Sequence, residues 1–185
     1  MTTHNTGADA ANTAVRAYLT TLGEKYLGHG FNTGSGKGKQ IWSEIKESFQ
    51  MRCAYCDVET SSPTIEHLIS FNRSAGGLHH PGNVVPCCRA CNHRAKIDGQ
   101  EVDWKVHLET VVDRDEHSSI LTLRERRARI ERHVEKYGYP SLSDDEMSAI
   151  RTIAESLYES IKGEVRKGTD LYWAIHEAMI GRRGN

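Results

Sequence analysis

The stretch CAYC at residues 53–56 has a counterpart further along the chain, CRAC at residues 88–91. Two residues between a pair of thiolates let both sulfurs converge on one ion, and two such pairs complete a tetrahedral zinc site. The alternatives are a redox CxxC, which needs only one pair, and four buried thiols without a metal; the paired spacing favours zinc. The sequence therefore predicts a structural zinc ion held by Cys53, Cys56, Cys88 and Cys91. The fifth cysteine, Cys87, is expected to be a small core residue.

The segment between the two pairs contains TIEHLISF at residues 64–71, where an acid and a histidine stand side by side within an apolar run. Burying two ionisable groups costs several kcal/mol unless something pairs with them, so Glu66 and His67 are expected to face a second site. Adjacent residues of an ideal strand point to opposite faces. The strand must therefore twist or bulge if both side chains are to reach one ligand.

Composition places the chain among ordinary globular proteins. Of its 185 residues 37% are hydrophobic and 26% charged, which is enough for one modest core or a small core with a helical appendage. The net charge of −1 disfavours a dedicated high-affinity nucleic-acid binder, although it leaves room for local basic patches. The N-terminus lacks the features of a signal peptide, and no apolar run is long enough to cross a bilayer, so we expect a cytoplasmic protein with no membrane partner.

Periodicity predicts an α+β fold. Strand-like runs at residues 64–71 and 84–86 enclose a turn-rich segment, and a helix is expected from Cys91 onward with Asn92 near its start. Further helices are expected over residues 10–22, over 41–49 after a glycine-rich loop at 23–39, and over 123–137 before Gly138. A capping box at Ser143 and Glu146 starts the next, and Thr169 a last one. We expect an N-terminal helical segment with a Gly/Lys loop (1–50), a metal-binding core (51–100) and a C-terminal helical region (101–185).

The order CAYC, IEHLIS and GGLHHPGNVVPCCRACN within residues 53–92 resembles the HNH endonucleases of the ββα-metal fold, in the subgroup that carries two zinc knuckles. The resemblance covers residues 51–99, about a quarter of the chain, and no family is recognisable in the flanks. It implies a zinc-stapled ββα-metal core that hydrolyses a phosphodiester bond of DNA with one divalent ion, Mg²⁺ or Mn²⁺.

The resemblance also implies roles for individual residues. His67 would be the general base, because a neutral imidazole can take a proton from water near pH 7. Glu66, where the family usually has Asp, and Asn92, in place of the family's third histidine, would hold the divalent ion. Asn83 would lock the loop opposite His67, and a one-residue shift would give the metal-ligand role of Asn92 to His93 instead. The alternative for Asn92 is a helix N-cap.

Basic residues near these motifs are candidates for contacts to phosphate. Arg89, Arg94 and Lys96 follow the motif, whereas Lys37 and Lys39 lie in the glycine-rich loop. The arginines of residues 124–132 alternate with glutamates and are expected to form a solvated helix face, with DNA contact as the second possibility. His79 and His80 are expected to be exposed loop residues.

We therefore expect a metal-dependent endonuclease that nicks or cuts DNA, with RNA not excluded, and a homodimer or a partner subunit where both strands are to be cut. Two alternatives stay open. One is a non-catalytic zinc module that binds nucleic acid or a partner protein. The other is a nuclease subunit that works only within a multi-protein defence or packaging system.

Overall fold

The computed structural model describes residues 6–114 and 121–183 and has the expected α+β class. Five helices and two small antiparallel sheets make up this part of the chain. In order they are α1 (Gly7–Leu27), α2 (Gly36–Ser48), β1 (Thr64–His67), β2 (Val84–Cys87), β3 (Lys96–Ile97), β4 (Gln100–Glu101), α3 (Trp104–Asp113), α4 (Leu123–Tyr137) and α5 (Asp144–Arg183). A single 3-10 turn, Pro81–Asn83, precedes β2.

Capping boxes start three of the helices. Thr6 with Asp9, Thr122 with Glu125, and Ser143 with Glu146 each exchange hydrogen bonds in the capping-box pattern, which satisfies backbone N–H groups that have no partner within the helix. The box at Ser143 and the C-cap at Gly138, where the backbone is left-handed with φ of 59°, are confirmed.

Three helices differ from the expected boundaries. Helix α1 runs from Gly7 to Leu27 and passes both ends of the expected range 10–22. Helix α2 begins at Gly36, inside the segment expected to be a loop, and its Gly38 packs so closely on the backbone of Asn32 that no side chain fits between them. Helix α5 runs without a break through Thr169, which was expected to start a new helix. The hydroxyl of Thr169 donates to the carbonyl of Val165 one turn earlier, so it is used within the helix instead of capping a new one.

Strands β1 and β2 form an antiparallel hairpin in which Glu66 lies opposite Val85 and His67 opposite Val84. Strand β1 ends at His67, earlier than the expected end at residue 71. After the end of β1, a side chain replaces the strand as hydrogen-bond partner: Oδ1 of Asn83 accepts from the N–H of Ile69 at 2.8 Å.

The helix expected directly after Cys91 is not formed. Residues 92–95 are irregular and lead into the β3–β4 hairpin, whose turn residues Asp98 and Gly99 have φ of 51° and 79°. Asp-Gly favours this type of tight turn because both positions need positive φ. The next helix, α3, is capped by Asp103, so the helix of the expected ββα unit and the N-cap role of Asn92 are both wrong in this structure.

Two apolar clusters hold the fold together, and both draw on distant parts of the chain. One joins α2, the cysteine segments, the β1–β2 hairpin, α3 and α4 around residues such as Trp42, Tyr55 and Leu108. The other packs Ala11, Val15 and Leu19 of α1 against α5, with Leu78 beside them. The three expected segments therefore share their cores. No helix in residues 6–114 or 121–183 is both long and apolar enough to cross a membrane.

Candidate functional site

The four cysteines of the two CxxC pairs lie together and can hold a metal ion such as zinc. Their sulfur atoms are all within 4.8 Å of one another, and Sγ of Cys56 lies 3.7 Å from Sγ of Cys88. A zinc ion with four sulfurs at its usual bond length has sulfur–sulfur distances of about 3.8 Å. The backbone thus brings the ligands to the separation that a tetrahedral zinc centre requires.

The electrostatics of this cluster favour a cation. Hydrogen bonds with Cys56, Cys87 and Cys91 lower the pKa of Cys53, whereas the bond to Cys53 raises the pKa of Cys56 to about 12. Four neighbouring thiolates therefore cannot coexist without a positive charge among them, which a divalent metal ion provides. Cys87 is fully buried, as expected of a core residue.

Arginines of α4 hold the first cysteine pair in place. Arg126 is 1% exposed and donates to the carbonyl of Tyr55 at 2.6 Å. Arg129 binds Asp57 at 3.0 Å and the carbonyl of Cys53 at 3.3 Å. The expectation of a solvated arginine face is thus wrong for these two residues, although Arg127 forms the expected exposed i,i+4 pair with Glu131.

A second site lies at the end of β1. A cavity of about 400 Å³ is lined by Glu66, His67 and Asn92, the residues that the sequence motifs single out, and by other side chains: Arg16, Ile65, Ser70, Phe71, Asn72 and Glu101. Consecutive residues of a strand normally point apart, but β1 ends at His67, so the two side chains reach the same cavity.

Glu66 is buried and paired. Its Oε1 accepts a hydrogen bond from Nε of Arg94 at 2.7 Å, and Arg94 also donates to the carbonyls of His67 and Leu68. Burial raises the pKa of Glu66, and the Arg94 charge opposes that rise. The Arg94 side chain is only 2% exposed, so its expected role in contacting phosphate is wrong, and it serves to pair with Glu66 instead.

His67 is fixed by aromatic rings and by a second histidine. Its ring stacks on Phe71 with centroids 4.7 Å apart, and its Nε2 lies 3.0 Å from Nδ1 of His79. Burial lowers the pKa of His79, and a hydrogen bond to the backbone of Phe31 opposes that fall. In the His67–His79 pair one ring donates and the other accepts, and when His67 donates through Nε2 its Nδ1 is the nitrogen that can accept a proton.

This network leaves one nitrogen of His67 able to accept a proton. Nδ1 of His67 has no hydrogen-bond partner in the described part of the chain, and the side chain lines the cavity. Burial and the neighbouring His79 lower the pKa of His67 to about 3, so the imidazole is neutral at pH 7.

Asn83 locks the loop that carries His79. Its Nδ2 donates to the carbonyls of Ile69 and Leu78 at 3.0 and 2.8 Å, which ties together the two ends of residues 69–78. Gly77 lies against the carbonyl of Ile69 within this loop, where a Cβ atom would overlap it. Asn83 and the glycine turn therefore set the position of the loop opposite His67.

Asn92 is oriented by β1. Its Nδ2 donates to the hydroxyl of Thr64 at 2.8 Å and to the carbonyl of Ile65 at 3.3 Å. Since the amide nitrogen is used in this way, the side-chain oxygen is the atom that Asn92 can offer to a ligand. His93, the alternative ligand, is exposed and does not line the cavity.

The basic residues expected to contact nucleic acid lie outside the cavity lining. Arg89 and Lys96 are exposed, and Lys37 and Lys39 are exposed in the first turn of α2. Their contacts to phosphate stay predictions. His80, expected to be exposed, is buried and accepts a hydrogen bond from the N–H of Gly82.

Three residues at or behind this cavity were not found from the sequence. Arg16 lines its rim from α1 and is exposed, Glu101 reaches it from β4 and accepts a hydrogen bond from Ser70 at 2.6 Å, and His79 stands behind His67. Only His79 had a local signal, because it lies in the motif segment itself. Arg16 and Glu101 lie on α1 and β4, and the sequence pattern of these elements does not show what they pack against.

Within the described residues, the four cysteines are the only group of three or more histidine, cysteine or acidic side chains close enough to bind one metal ion. Comparisons with family models, with curated proteins and with solved structures found no match to this chain.

Proposed function

We propose that this protein is an endonuclease that hydrolyses phosphodiester bonds of DNA with a divalent ion and uses His67 as its general base. The observation that carries the proposal is the single cavity that gathers Glu66, His67 and Asn92 beside a four-cysteine cluster. The resemblance of residues 51–99 to HNH endonucleases gives the same residues these roles. The zinc ion would be structural, because four thiolates leave it no open position.

The hydrogen-bond network around His67 suits a base that acts through Nδ1. In the tautomer in which His67 donates from Nε2 to His79, water bound between His67 and a phosphate would lose its proton to Nδ1. A pKa of about 3 keeps the ring neutral in the free protein. The negative charge of a bound phosphate raises the pKa of an adjacent imidazole, which makes it a stronger base once substrate is present.

Glu66 and Asn92 would hold the divalent ion through one carboxylate oxygen and one amide oxygen. Both are ligand types that Mg²⁺ and Mn²⁺ prefer, and the pairing of Glu66 with Arg94 occupies Oε1 in the present arrangement. When bound, the ion would offset charge on the scissile phosphate and on the leaving oxygen. Arg16, an exposed cation at the rim, would contact a phosphate next to the one that is cut.

One observation favours a second candidate, the non-catalytic zinc module. Arg94 already neutralises Glu66, and the helix that follows the last cysteine in the ββα-metal fold is replaced by the β3–β4 hairpin. A module of this kind would bind nucleic acid or a partner protein through the zinc-stapled core and cut nothing.

Incubation of the full chain with supercoiled plasmid separates the two candidates. The nuclease converts supercoiled plasmid into nicked circles with Mg²⁺ or Mn²⁺ and leaves it intact when the added ion is omitted. Zinc content measured in each sample shows whether the cysteine cluster stayed loaded. A zinc-loaded protein that retards DNA in a gel but never nicks it would overturn the nuclease in favour of the zinc module.

A further inference from the structure

The second half of α5 extends beyond the rest of the described fold. Helix α1 covers the first half of α5, and its first residue, Gly7, lies against the side chain of Val165. Residues 166–183 continue the helix for about 27 Å past that point. The side-chain ring contacts of Tyr172, Trp173 and His176 within the described chain are with one another.

This extension exposes more large apolar side chains than a solvated helix does. Leu171, Tyr172 and Met179 are 63, 61 and 61% exposed, and Ile175 is 48% exposed. Val165, Gly168, Tyr172, Ile175 and Met179 follow one another at alternating spacings of three and four, so they form one stripe along the helix. An exposed stripe of this kind marks an interaction surface.

The stripe is shaped to receive another helix. It continues the face of α5 that packs on α1 through Ile150, Ala154 and Tyr158, so the same surface already accepts a helix in its first half. Gly168 has open space around it, with no atom within 4 Å of the position of a Cβ. A glycine in an exposed helix weakens the helix by about 1 kcal/mol relative to alanine, and a partner that fills the space offsets that cost.

We propose that this stripe, Val165, Gly168, Tyr172, Ile175 and Met179, is a dimer interface that pairs α5 with the α5 of a second copy in antiparallel orientation. About a two-fold axis between Trp173 and Ala174, Met179 of one copy faces Gly168 of the other, and Tyr172 faces Ile175. The large side chain of Met179 then fills the space over Gly168, and Tyr172 and Ile175 make an apolar contact beside the axis. A parallel pair would place Gly168 on Gly168 and leave a gap.

The positions of the charged residues and the exposed apolar area of the α5 extension both agree with self-association. The charged residues between Val165 and Met179 are Arg166, Lys167, Asp170 and Glu177, and all four lie off the stripe, so two copies bring no like charges into its centre. The exposed apolar side chains present on the order of 500 Å² of solvent-accessible surface per chain. Two copies would bury about 1,000 Å² in total, the least that a specific interface needs.

Light scattering coupled to gel filtration of the full chain tests the interface, with a matched pair of substitutions. The parent should elute with twice the chain mass of 20.8 kDa. Ile175→Glu places a charge on the stripe and should give a monomer. Ala174→Glu places the same charge one residue away on the exposed opposite side and should remain a dimer.

Either of two results overturns the proposal. A parent that stays monomeric up to high micromolar concentration shows that no second copy binds the stripe, which would then serve a different partner. A dimer that Ile175→Glu leaves intact shows that the interface lies elsewhere. Both readings are independent of whether the protein cuts DNA.

Discussion

The imidazole of His67 lies between Phe71, which stacks on one face, and His79, whose Nδ1 is 3.0 Å from Nε2 of His67. A base held in this way loses little entropy on reaction and presents one nitrogen to the cavity. The proposed catalytic power of His67 thus depends on His79, a residue that touches neither substrate nor ion. His79 is a positioning residue in this account.

Replacing His79 by phenylalanine should keep the ring packing against Phe31 and remove the hydrogen-bond partner of Nε2 of His67. His67 would then populate both tautomers, and we expect kcat for plasmid nicking to fall by about 10- to 100-fold with little change in KM. Nitrogen chemical shifts of the His67 ring, measured by NMR, report the tautomer directly. Unchanged shifts in His79→Phe would contradict the network, whatever the nicking rate.

The residues of the site were predictable only in part. Glu66 and His67 could be predicted as site residues because two ionisable groups in an apolar run need a partner. The partner of Glu66 was not predictable, since Arg94 meets it across 28 positions of the chain and looked like a surface cation. Sequence spacing shows which side chains need neutralising, and only the packing shows what neutralises them.

Among the elements, the cysteine segments and the β1–β2 hairpin follow from local pattern, whereas the segment after Cys91 does not. The sequence contains a hairpin signal in Asp98-Gly99, whereas the expectation at this point was a helix from Cys91 onward. The hairpin has a consequence for the site, because β4 carries Glu101 to the cavity.

Cys87, the last residue of β2, and Cys88, the first of the second CxxC pair, should respond differently to substitution. Cys88→Ser removes one of four ligands, and we expect loss of bound zinc together with loss of the cooperative unfolding transition. Cys87→Ser changes a buried thiol outside that set, and we expect one zinc per chain to be retained. Elemental analysis and thermal unfolding of both variants check this; equal zinc contents would show that the metal uses another ligand set.

At the scale of the whole molecule, the chain buries several neutral histidines. Burial lowers the pKa of His67 to about 3 and those of His80 and His133 to about 4, below the ordinary value of 6.5. The unfolded chain binds protons at these positions below pH 6.5 and the folded chain does not. The stability from these groups is therefore present above pH 6.5 and is lost as the pH falls towards 4.

Urea unfolding between pH 7.5 and 4.5 should show this loss, with each histidine contributing up to about 1.4 kcal/mol per pH unit. His133→Gln keeps a donor for the carbonyl of Pro81 and removes one titrating group. Its pH dependence should be shallower than that of the parent by one histidine's share. Both proteins contain the same cysteine cluster, so proton-linked release of metal cancels in the comparison. Parallel curves would contradict the assignment of His133 as a buried neutral histidine.

The packing of α1 on α5 and of α2 on β2 is the part of the architecture furthest from sequence reasoning. Amphipathic patterns predicted that these helices exist, but an apolar stripe does not show which other element it packs against. This packing matters for the site, because α1 supplies Arg16 at the rim and the loop after it supplies Phe31 behind His79.

The most direct test of the central claim is the rate at which supercoiled plasmid is nicked in Mg²⁺ by zinc-loaded parent, His67→Ala and His29→Ala. His29 is a partly exposed histidine outside the cavity lining and serves as the matched control. We expect His29→Ala to nick plasmid at the rate of the parent and His67→Ala to nick it about 10²- to 10⁴-fold more slowly, which is the usual contribution of a general base. Parental nicking by a zinc-loaded His67→Ala would contradict the central claim.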